Sequence, residues 1–157
     1  MGSRSKISFA YIAGFLDGDG SLMLQIKKRK DGNKSKKRFM ATICFYQDSR
    51  HEKPLYWIRN ILNIGYISRR NDGITELRIN GYKQIERIMR NLLPFIKFKK
   101  IQAKILLTSA RLLQKSKLTK QELKRLVDNI LKIQSENYTT KRKKSKKELL
   151  KILGLTP

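Results

Sequence analysis

Two aspartates stand at the end of an apolar stretch, where their carboxylates could hold a metal ion. The stretch spans residues 11–20, and Asp17 and Asp19 follow its apolar side chains. The pattern predicts a helix that ends near Asp19. A carboxylate is unfavourable at the C-terminal end of a helix, which carries partial negative charge, so its presence there indicates a compensating cation. The simpler alternative is a turn, because Asp-Gly is common turn chemistry.

Two glycines four residues apart, Gly14 and Gly18, lie on one face of the same predicted helix. Without side chains at these positions, a second helix can approach more closely than the usual spacing of about 8–10 Å. We therefore predict a close helix–helix contact. Ordinary helix packing and a helix C-cap are the alternatives. The motif occurs once, and the sequence has no internal repeat.

The composition indicates a polyanionic partner. Lys and Arg total 37 against 12 Asp and Glu, a net charge of +25, and such an excess opposes compaction. DNA or RNA is the leading candidate, and an anionic membrane surface is the weaker one. One cysteine and one histidine exclude an internal disulfide and a zinc finger. A metal would therefore need oxygen ligands, which favours Mg²⁺. With no secretion signal and no long apolar run, we expect an intracellular protein of a prokaryotic cytoplasm or an organelle.

Hydrophobic periodicity predicts an α+β domain in the order α-β-β-α-β-β-α, followed by further helices. Four antiparallel strands would have helices on one face. The core is expected over about residues 5–115, and a basic helical extension over about 116–157, within a single domain of residues 1–157. The expected elements are a helix from Ser5 or Ser8 to Asp17, strands 21–27 and 38–47 around a basic loop 28–37, a helix from Pro54 with Trp57 in the core, strands 65–70 and 74–80, helices 82–93 and 99–114, and two helices opened by the capping boxes Thr119–Glu122 and Ser145–Glu148.

The outward faces of the strands would form a positively charged surface, because a sheet covered on one side exposes the other. Several of its side chains are of the types that contact base edges in the DNA major groove, which a two-stranded ribbon can enter. Cys44 would be a small side chain on this surface and not a nucleophile. The predicted DNA-binding residues are Gln25, Lys27, Arg29, Lys30, Arg38, Met40, Thr42, Cys44, Tyr46, Ser68, Arg70, Glu76, Arg78, Lys141 and Arg142.

The chain resembles the LAGLIDADG homing endonucleases, and matches their single-motif, homodimeric branch best. The resemblance starts at residues 12–20 and extends over roughly residues 10–107. It implies an αββαββα fold with a saddle-shaped antiparallel sheet. It also implies a homodimer that uses a divalent metal to cut both strands of a long, pseudo-palindromic DNA site, leaving short 3′ overhangs. The residues that carry it beyond the motif are 25–27, Gln47, 64–66, 93–99 and 102–103.

The resemblance also implies roles for single residues. Asp19 would be a metal ligand, joined by the backbone carbonyl of Gly18, and Asp17 would be mostly structural. Gln47 would position the attacking water and Lys99 would stand beside the scissile phosphate, with Arg50 or His51 as a further basic helper. Mg²⁺ is the expected ion, with Mn²⁺ substituting and Ca²⁺ binding without supporting cleavage. The expected dimer contact comprises Ile12, Ala13, Gly14, Leu16 and Gly18.

Two other functions fit the basic surface. One is an intron RNA maturase, or RNA-binding splicing cofactor, and the other is a non-catalytic DNA-binding protein on the same scaffold. Asp19, Gln47 and Lys99 are all present, and a protein without nuclease activity would be free to lose them. We therefore predict an intron-encoded, metal-dependent DNA endonuclease, a phosphodiester hydrolase.

Overall fold

The computed structural model describes residues 2–31, 34–138 and 143–156, apart from the side chains of residues 3, 29–31 and 34–36. No helix in these ranges is long and apolar enough to cross a membrane. The elements follow the predicted order: α1 (Ser3–Asp19), β1 (Gly20–Asp31), β2 (Lys34–Asp48), a 3₁₀ turn (Ser49–His51), α2 (Lys53–Leu62), β3 (Tyr66–Arg69), β4 (Ile74–Asn80), α3 (Tyr82–Leu92), α4 (Lys100–Leu112), α5 (Lys120–Glu136) and α6 (Lys146–Ile152).

The four strands form one antiparallel sheet in the order β1-β2-β4-β3. Alternate residues of each strand face the helices, and the central strands bury Ile43, Phe45, Leu77 and Ile79 completely. The opposite face carries the predicted polar set. Its register places residues side by side across all four strands, as in the row Ser21, Cys44, Arg78 and Tyr66. The predicted α+β class is therefore confirmed.

The predicted basic loop over residues 28–37 is wrong for most of its length. β1 continues to Asp31 and β2 begins at Lys34, with Lys28 paired opposite Lys37. The many lysines in this segment favoured a loop. The hydrogen bonds between the two strands are made by backbone groups, however, and do not depend on side-chain charge. The pairing register set by the preceding residues of β1 therefore continues to the end of the strand. The expected turn residue Gly32 lies outside the described residues.

Trp57 was predicted to be in the core, and this is also wrong. Helix α2 buries Leu55, Ile58 and Leu62, whereas Trp57 is 39% exposed. The indole contacts Tyr11 of α1 edge-on, with the ring centroids 5.3 Å apart. Trp57 therefore belongs to the surface around α1, not to the interior between α2 and the sheet.

Both predicted capping boxes are present at the starts of the last two helices. The side chain of Thr119 accepts the backbone N–H of Glu122, and that of Ser145 accepts the N–H of Glu148. Leu149 and Leu150 of α6 are buried in the same core cluster as the sheet residues. Lys37 of β2 donates to the carbonyl of Ile152, so the last helix is also attached to the long hairpin.

Glu52 links the start of α2 to the β3–β4 hairpin. Its carboxylate accepts hydrogen bonds from Arg69, with Nε at 3.0 Å and Nη2 at 2.5 Å, and from Thr75 Oγ1 at 2.6 Å. The Thr75 hydroxyl in turn lies 2.8 Å from that of Ser49 in the 3₁₀ turn. Because Arg69 and Thr75 bond the ionised form, the pKa of Glu52 is lowered to about 2.

This network predicts acid sensitivity. A carboxyl whose folded-state pKa is depressed stabilises the fold above its unfolded pKa, and that stability is lost as the pH falls towards the folded value. For Glu52 the window runs from 4.5 down to about 2. Thermal unfolding should be measured across this pH window for the wild type and for Glu52→Gln. On acidification, the melting temperature of Glu52→Gln should fall by less than that of the wild type. Parallel curves for the two proteins would contradict the assignment.

Candidate active site

Helix α1 passes into strand β1 without a loop, and Asp19 is its last residue. Gly20 makes this junction possible. A Cβ atom at that position would lie 2.8 Å from the carbonyl oxygen of Leu16 and 2.9 Å from its Cα, a contact that real Cβ atoms do not make. The sequence Asp19-Gly20 therefore fixes a carboxylate at the boundary between helix and sheet.

Asp19 is exposed at this boundary. It carries its charge at the end of the helix that disfavours it. Within the described ranges, no protein donor forms a hydrogen bond to its carboxylate. Its oxygens are therefore available to a cation, as the sequence pattern predicted. The described residues contain no cluster of three or more His, Cys, Asp or Glu side chains that could hold a metal.

Asp17 connects the end of α1 to the start of α4. Its two carboxylate oxygens accept three consecutive backbone N–H groups: Oδ2 those of Lys97 and Phe98, at 2.7 and 3.1 Å, and Oδ1 that of Lys99, at 2.9 Å. Its own backbone carbonyl accepts the ammonium of Lys99 at 2.5 Å. The Lys99 side chain therefore lies across the C-terminal end of α1.

The charge states of this pair follow from their surroundings. Burial raises the pKa of the Asp17 carboxyl, but the backbone N–H groups of Lys99, Lys97 and Phe98 outweigh burial and hold its pKa below the usual value. Burial lowers the pKa of the Lys99 ammonium, while the charges of Asp17 and Asp19 act in the opposite direction. Burial outweighs these charges, so the pKa of Lys99 lies below its usual value. The side chain is half-buried.

Asp19 and Lys99 open into a single cleft of about 770 Å³. The cleft is bounded by the α1–β1 junction, the outer face of the sheet, and the turn that follows α5. Predicted site residues from different parts of the chain meet in it, namely Gly18, Asp19, Gln25, Tyr46, Arg70 and Lys99.

Three predicted site residues are absent from the lining of this cleft. Gln47 lies at the end of β2, where its Oε1 accepts the N–H of Asp48 at 2.9 Å. Arg50 is folded against Asp48, with Nε at 3.0 Å and Nη2 at 2.8 Å from the carboxylate. His51 is exposed at the end of the 3₁₀ turn. Strand β2 reaches the α1–β1 junction, where Phe45 pairs with Gly20, and Gln47 lies two residues further along β2. The roles of Gln47, Arg50 and His51 stay predictions.

Sequence reasoning missed an aromatic pair at the same cleft. Phe98 and Tyr138 stack with their ring centroids 5.8 Å apart at an angle of 22°, and both line the cleft while remaining largely exposed. Asn137 holds the adjoining turn by donating to the carbonyl of Leu22 at 3.2 Å. Nothing in the hydrophobic periodicity marks Tyr138. Phe98 lies between two lysines in the segment 93–99 that carried the resemblance.

Three predicted DNA-binding residues are buried in the protomer. Thr42 donates to Asn80 Oδ1 at 2.8 Å. Cys44 is covered by its neighbours, and burial raises the pKa of its thiol. Glu76 accepts Arg78 Nε at 2.7 Å. All three lie on the predicted face but are buried within it, so alternation alone was too weak a criterion for accessibility.

The remaining residues of the predicted DNA surface fall into two groups. Of those described, Lys27, Arg38 and Arg70 are exposed, and Gln25, Met40, Tyr46, Ser68 and Arg78 are partly buried. The backbone of Arg29 and Lys30 is part of β1. The side chains of these two residues, and the whole of Lys141 and Arg142, lie outside the described residues.

Two of the five residues of the predicted dimer contact are exposed. Gly14 and Gly18 are exposed, but Ile12, Ala13 and Leu16 are completely buried in the protomer's own core, where they pack against the sheet and cannot contact a partner. The exposed stripe of α1 consists instead of Ile7, Tyr11, Gly14 and Gly18, at helical spacing. Tyr11, Ile7 and Trp57 also line an apolar hollow of about 400 Å³.

The glycine-bearing helix, the acidic junction and the four-stranded sheet together define a known family. A profile of the LAGLIDADG endonucleases matches residues 12–105. The chain belongs to the LAGLIDADG endonuclease family. It is a site-specific DNA endonuclease, the first of the three functions that the sequence left open.

Two relatives in this family are DNA endonucleases of green algae. The chain is 31% identical over 114 residues to the DNA endonuclease I-CvuI of Chlorella vulgaris, covering 73% of this chain and 70% of that protein. It is 29% identical over 103 residues to I-CreI of Chlamydomonas reinhardtii, covering 66% and 62%.

Solved LAGLIDADG structures share the whole fold. I-CvuI, crystallised with the I-CreI target in the presence of Mg, superposes with a TM-score of 0.81 at 26% identity over 99% of this chain and 100% of that one. I-CvuI has also been solved with its own target in the presence of Ca. The archaeal intron-encoded homing endonuclease I-Vdi141I, complexed with DNA, has a TM-score of 0.78 at 22% identity over 94% and 95% of the chains. The last likeness concerns the fold alone, and all three support the predicted αββαββα architecture with extra C-terminal helices.

Proposed function

We propose that this endonuclease acts as a homodimer, binds a long pseudo-palindromic duplex across the outer face of its sheet, and hydrolyses one phosphodiester in each strand with a divalent metal. Short 3′ overhangs are what membership of the family implies for the products. Strand cleavage at paired positions is the natural product of two identical active sites, each delivered by one protomer.

The observation that carries this proposal is the meeting of Asp19 and Lys99 in one cleft at the end of the basic sheet face. Phosphodiester hydrolysis needs negative charge to be balanced on the phosphate and on the leaving oxygen. Lys99 supplies a half-buried positive charge beside the carboxylate. A phosphate entering the cleft from the sheet would therefore meet both groups.

The donor set fits a hard divalent cation. Asp19 offers an exposed carboxylate, and the backbone carbonyl of Gly18 lies one residue before it. Oxygen donors of this kind suit Mg²⁺, and phosphate oxygens would complete the shell. When bound, such an ion lowers the pKa of a water and balances charge on the leaving oxygen. We propose Mg²⁺ as the physiological ion, Mn²⁺ as a substitute, and Ca²⁺ as an ion that binds without supporting cleavage.

The other helper residues differ in their present bonds. Gln47 accepts the Asp48 N–H through Oε1, which leaves its amide NH₂ to orient a water, whereas Arg50 would have to exchange its ion pair with Asp48 for a phosphate. Of the two basic candidates, we favour His51, which stands exposed without that ion pair among the described residues. All three side chains belong to the end of β2 or to the 3₁₀ turn that follows it.

The DNA surface is preorganised at its centre. Glu76 holds the guanidinium of Arg78 through Nε, leaving its terminal nitrogens free to donate to a guanine edge. We propose that Glu76 orients Arg78, and that Gln25, Lys27, Arg38, Met40, Tyr46, Ser68 and Arg70 provide the accessible contacts. Thr42 and Cys44 would shape the floor between them.

The proposed dimer uses the exposed stripe of α1. Gly14 and Gly18 allow two such helices to approach closely, and the apolar hollow of Ile7, Tyr11 and Trp57 would be covered beside them. The twofold axis would then run beside the two Asp19 residues. Divalent cations there would also offset the repulsion between the two carboxylates.

The proposal is tested by selecting cleaved molecules from a library of duplexes with a randomised segment, in Mg²⁺ and in Ca²⁺. We expect a long, approximately palindromic consensus, cut in both strands, with Mg²⁺ only. An asymmetric consensus would overturn the homodimer. Equal cleavage in Ca²⁺ would overturn the metal assignment.

A further inference from the structure

We propose that Asp17 is a positioning residue for Lys99, so that the first acid of the motif acts on the reaction through the lysine and not through a metal. This inference rests on the proposed role of Lys99 beside the scissile phosphate. Asp17 would couple the two parts of the chain that supply the proposed site. The end of α1, which carries Asp19, and the start of α4, which carries Lys99, are held in one geometry by Asp17.

The first support is the completeness of the clamp. A carboxylate is a strong acceptor for backbone N–H groups, because the bonds are charge-assisted. Asp17 accepts three consecutive N–H groups, those of Lys97, Phe98 and Lys99. These residues form the turn that leads into α4, which begins at Lys100, so Asp17 fixes the backbone at the entry to this helix.

The second support is the direction of the Lys99 side chain. Its ammonium donates to the backbone carbonyl of Asp17, at the end of α1 where carbonyls lack helical partners and a cation is favourable. Backbone and side chain of Lys99 are therefore both bound to one residue. A shift of Asp17 moves the lysine relative to Asp19, which lies two residues further along the same chain segment.

The third support is that Asp17 is committed to these bonds. Both of its oxygens are used, and Oδ2 accepts two amides. A metal would have to compete with the amides for these lone pairs, whereas the Asp19 carboxylate has no protein donor within the described ranges. The two acids of the motif therefore divide the work between positioning and ligation.

The substitution Asp17→Asn tests this with little change in shape. Asparagine keeps one acceptor oxygen, which can serve Lys97 and Phe98, but turns an NH₂ group towards the N–H of Lys99. We expect the single-turnover cleavage rate at saturating protein to fall on the order of 10- to 100-fold, the scale of a misplacement of about 1 Å. The protein concentration that gives half the maximal rate, and DNA affinity in Ca²⁺, should stay within about 2-fold of the wild type.

A double-mutant cycle with Lys99→Met separates positioning from simple support of the fold. If Asp17 acts through Lys99, Asp17→Asn should cost little more in the Lys99→Met background, and the double variant should cleave within about 3-fold of Lys99→Met. The matched control is Thr119→Ala. It removes the cap of α5 at the end far from the cleft and should lower the melting temperature without lowering the saturated rate.

The outcomes are separable. Two results would overturn the coupling alone. One is a cleavage rate of Asp17→Asn equal to that of the wild type. The other is a double variant whose fold-loss in cleavage rate is the product of the two single fold-losses. If the wild type cleaves and Lys99→Met cleaves equally well, the proposed role of Lys99 is wrong and this inference falls with it. Should Asp17→Asn fail to fold, Asp17→Ser, whose hydroxyl can accept one amide, goes through the same cycle with the same criteria.

Discussion

Replacing Asp19 with asparagine should abolish DNA cleavage and leave DNA binding intact. The two side chains have nearly the same shape, so the exposed α1–β1 junction should not change. What is lost is the negative charge that would hold the metal. We expect the single-turnover rate in Mg²⁺ to fall by about 1,000-fold or more, at or beyond the upper end of losses for a single electrostatic group. Affinity for the same duplex, measured by fluorescence anisotropy without metal, should be equal or slightly tighter, since a charge that repels phosphate has gone.

Asp128→Asn is the matched control for this experiment. It makes the same chemical change on α5, where Asp128 is exposed and paired with Lys146 at 2.7 Å, and it is not part of the cleft lining. Its cleavage rate should equal that of the wild type. Efficient Mg²⁺-dependent cutting of both strands by Asp19→Asn would remove Asp19 from the proposed active site.

Replacing Gly14 with leucine should break the proposed dimer without harming the protomer. Apart from the neighbouring residues and backbone of α1 itself, no described atom lies within 4 Å of a Cβ built at Gly14 or Gly18, and leucine favours helix over glycine by about 1 kcal/mol. The folded protomer should thus be equally or more stable. In the proposed dimer the same side chain would force two helices apart, at a cost of about 1–3 kcal/mol, which corresponds to a dissociation constant raised about 5- to 160-fold.

Sedimentation equilibrium over a range of protein concentrations measures this effect directly. Thr108→Leu, which adds leucine to an exposed position on α4, should leave the oligomeric state unchanged. Gly18→Leu should behave like Gly14→Leu in sedimentation, but its cleavage is less informative because the Gly18 carbonyl is a proposed metal ligand. An undiminished dimer in Gly14→Leu would mean that the copies associate through another face.

Local signals were the most reliable part of the sequence. Capping boxes, strand alternation and the acidic end of α1 each depend on a few adjacent residues, and each was found where predicted. The exposed side of α1 was harder, because apolar residues surround this helix and periodicity could not choose between Ile12 or Leu16 and Ile7 or Tyr11. The site itself depended on contacts between residues about eighty positions apart, such as Asp17 with Lys99, for which no local pattern exists.

The prediction of which side chains on the sheet face are exposed was wrong for a related reason. Alternation assigns a side chain to one face of a sheet, but its exposure depends on the length of the side chains opposite it on neighbouring strands. Cys44 lies between Ser21 and Arg78 in the sheet register, and Arg78 is much the longer of the two. The register emerges only when the four strands, which are spread over residues 20–80, have been paired.

The long first hairpin also sets a distance scale on the target. Strand β1 has 12 residues and starts next to Asp19, and a strand advances about 3.3 Å per residue, or about 40 Å in all. Duplex DNA rises about 3.4 Å per base pair, so the hairpin spans about 12 base pairs, slightly more than one helical turn. On the proposed binding mode, the length of β1 would set how far base contacts extend from the cutting centre. Base changes beyond about one turn from that centre should leave cleavage unaffected.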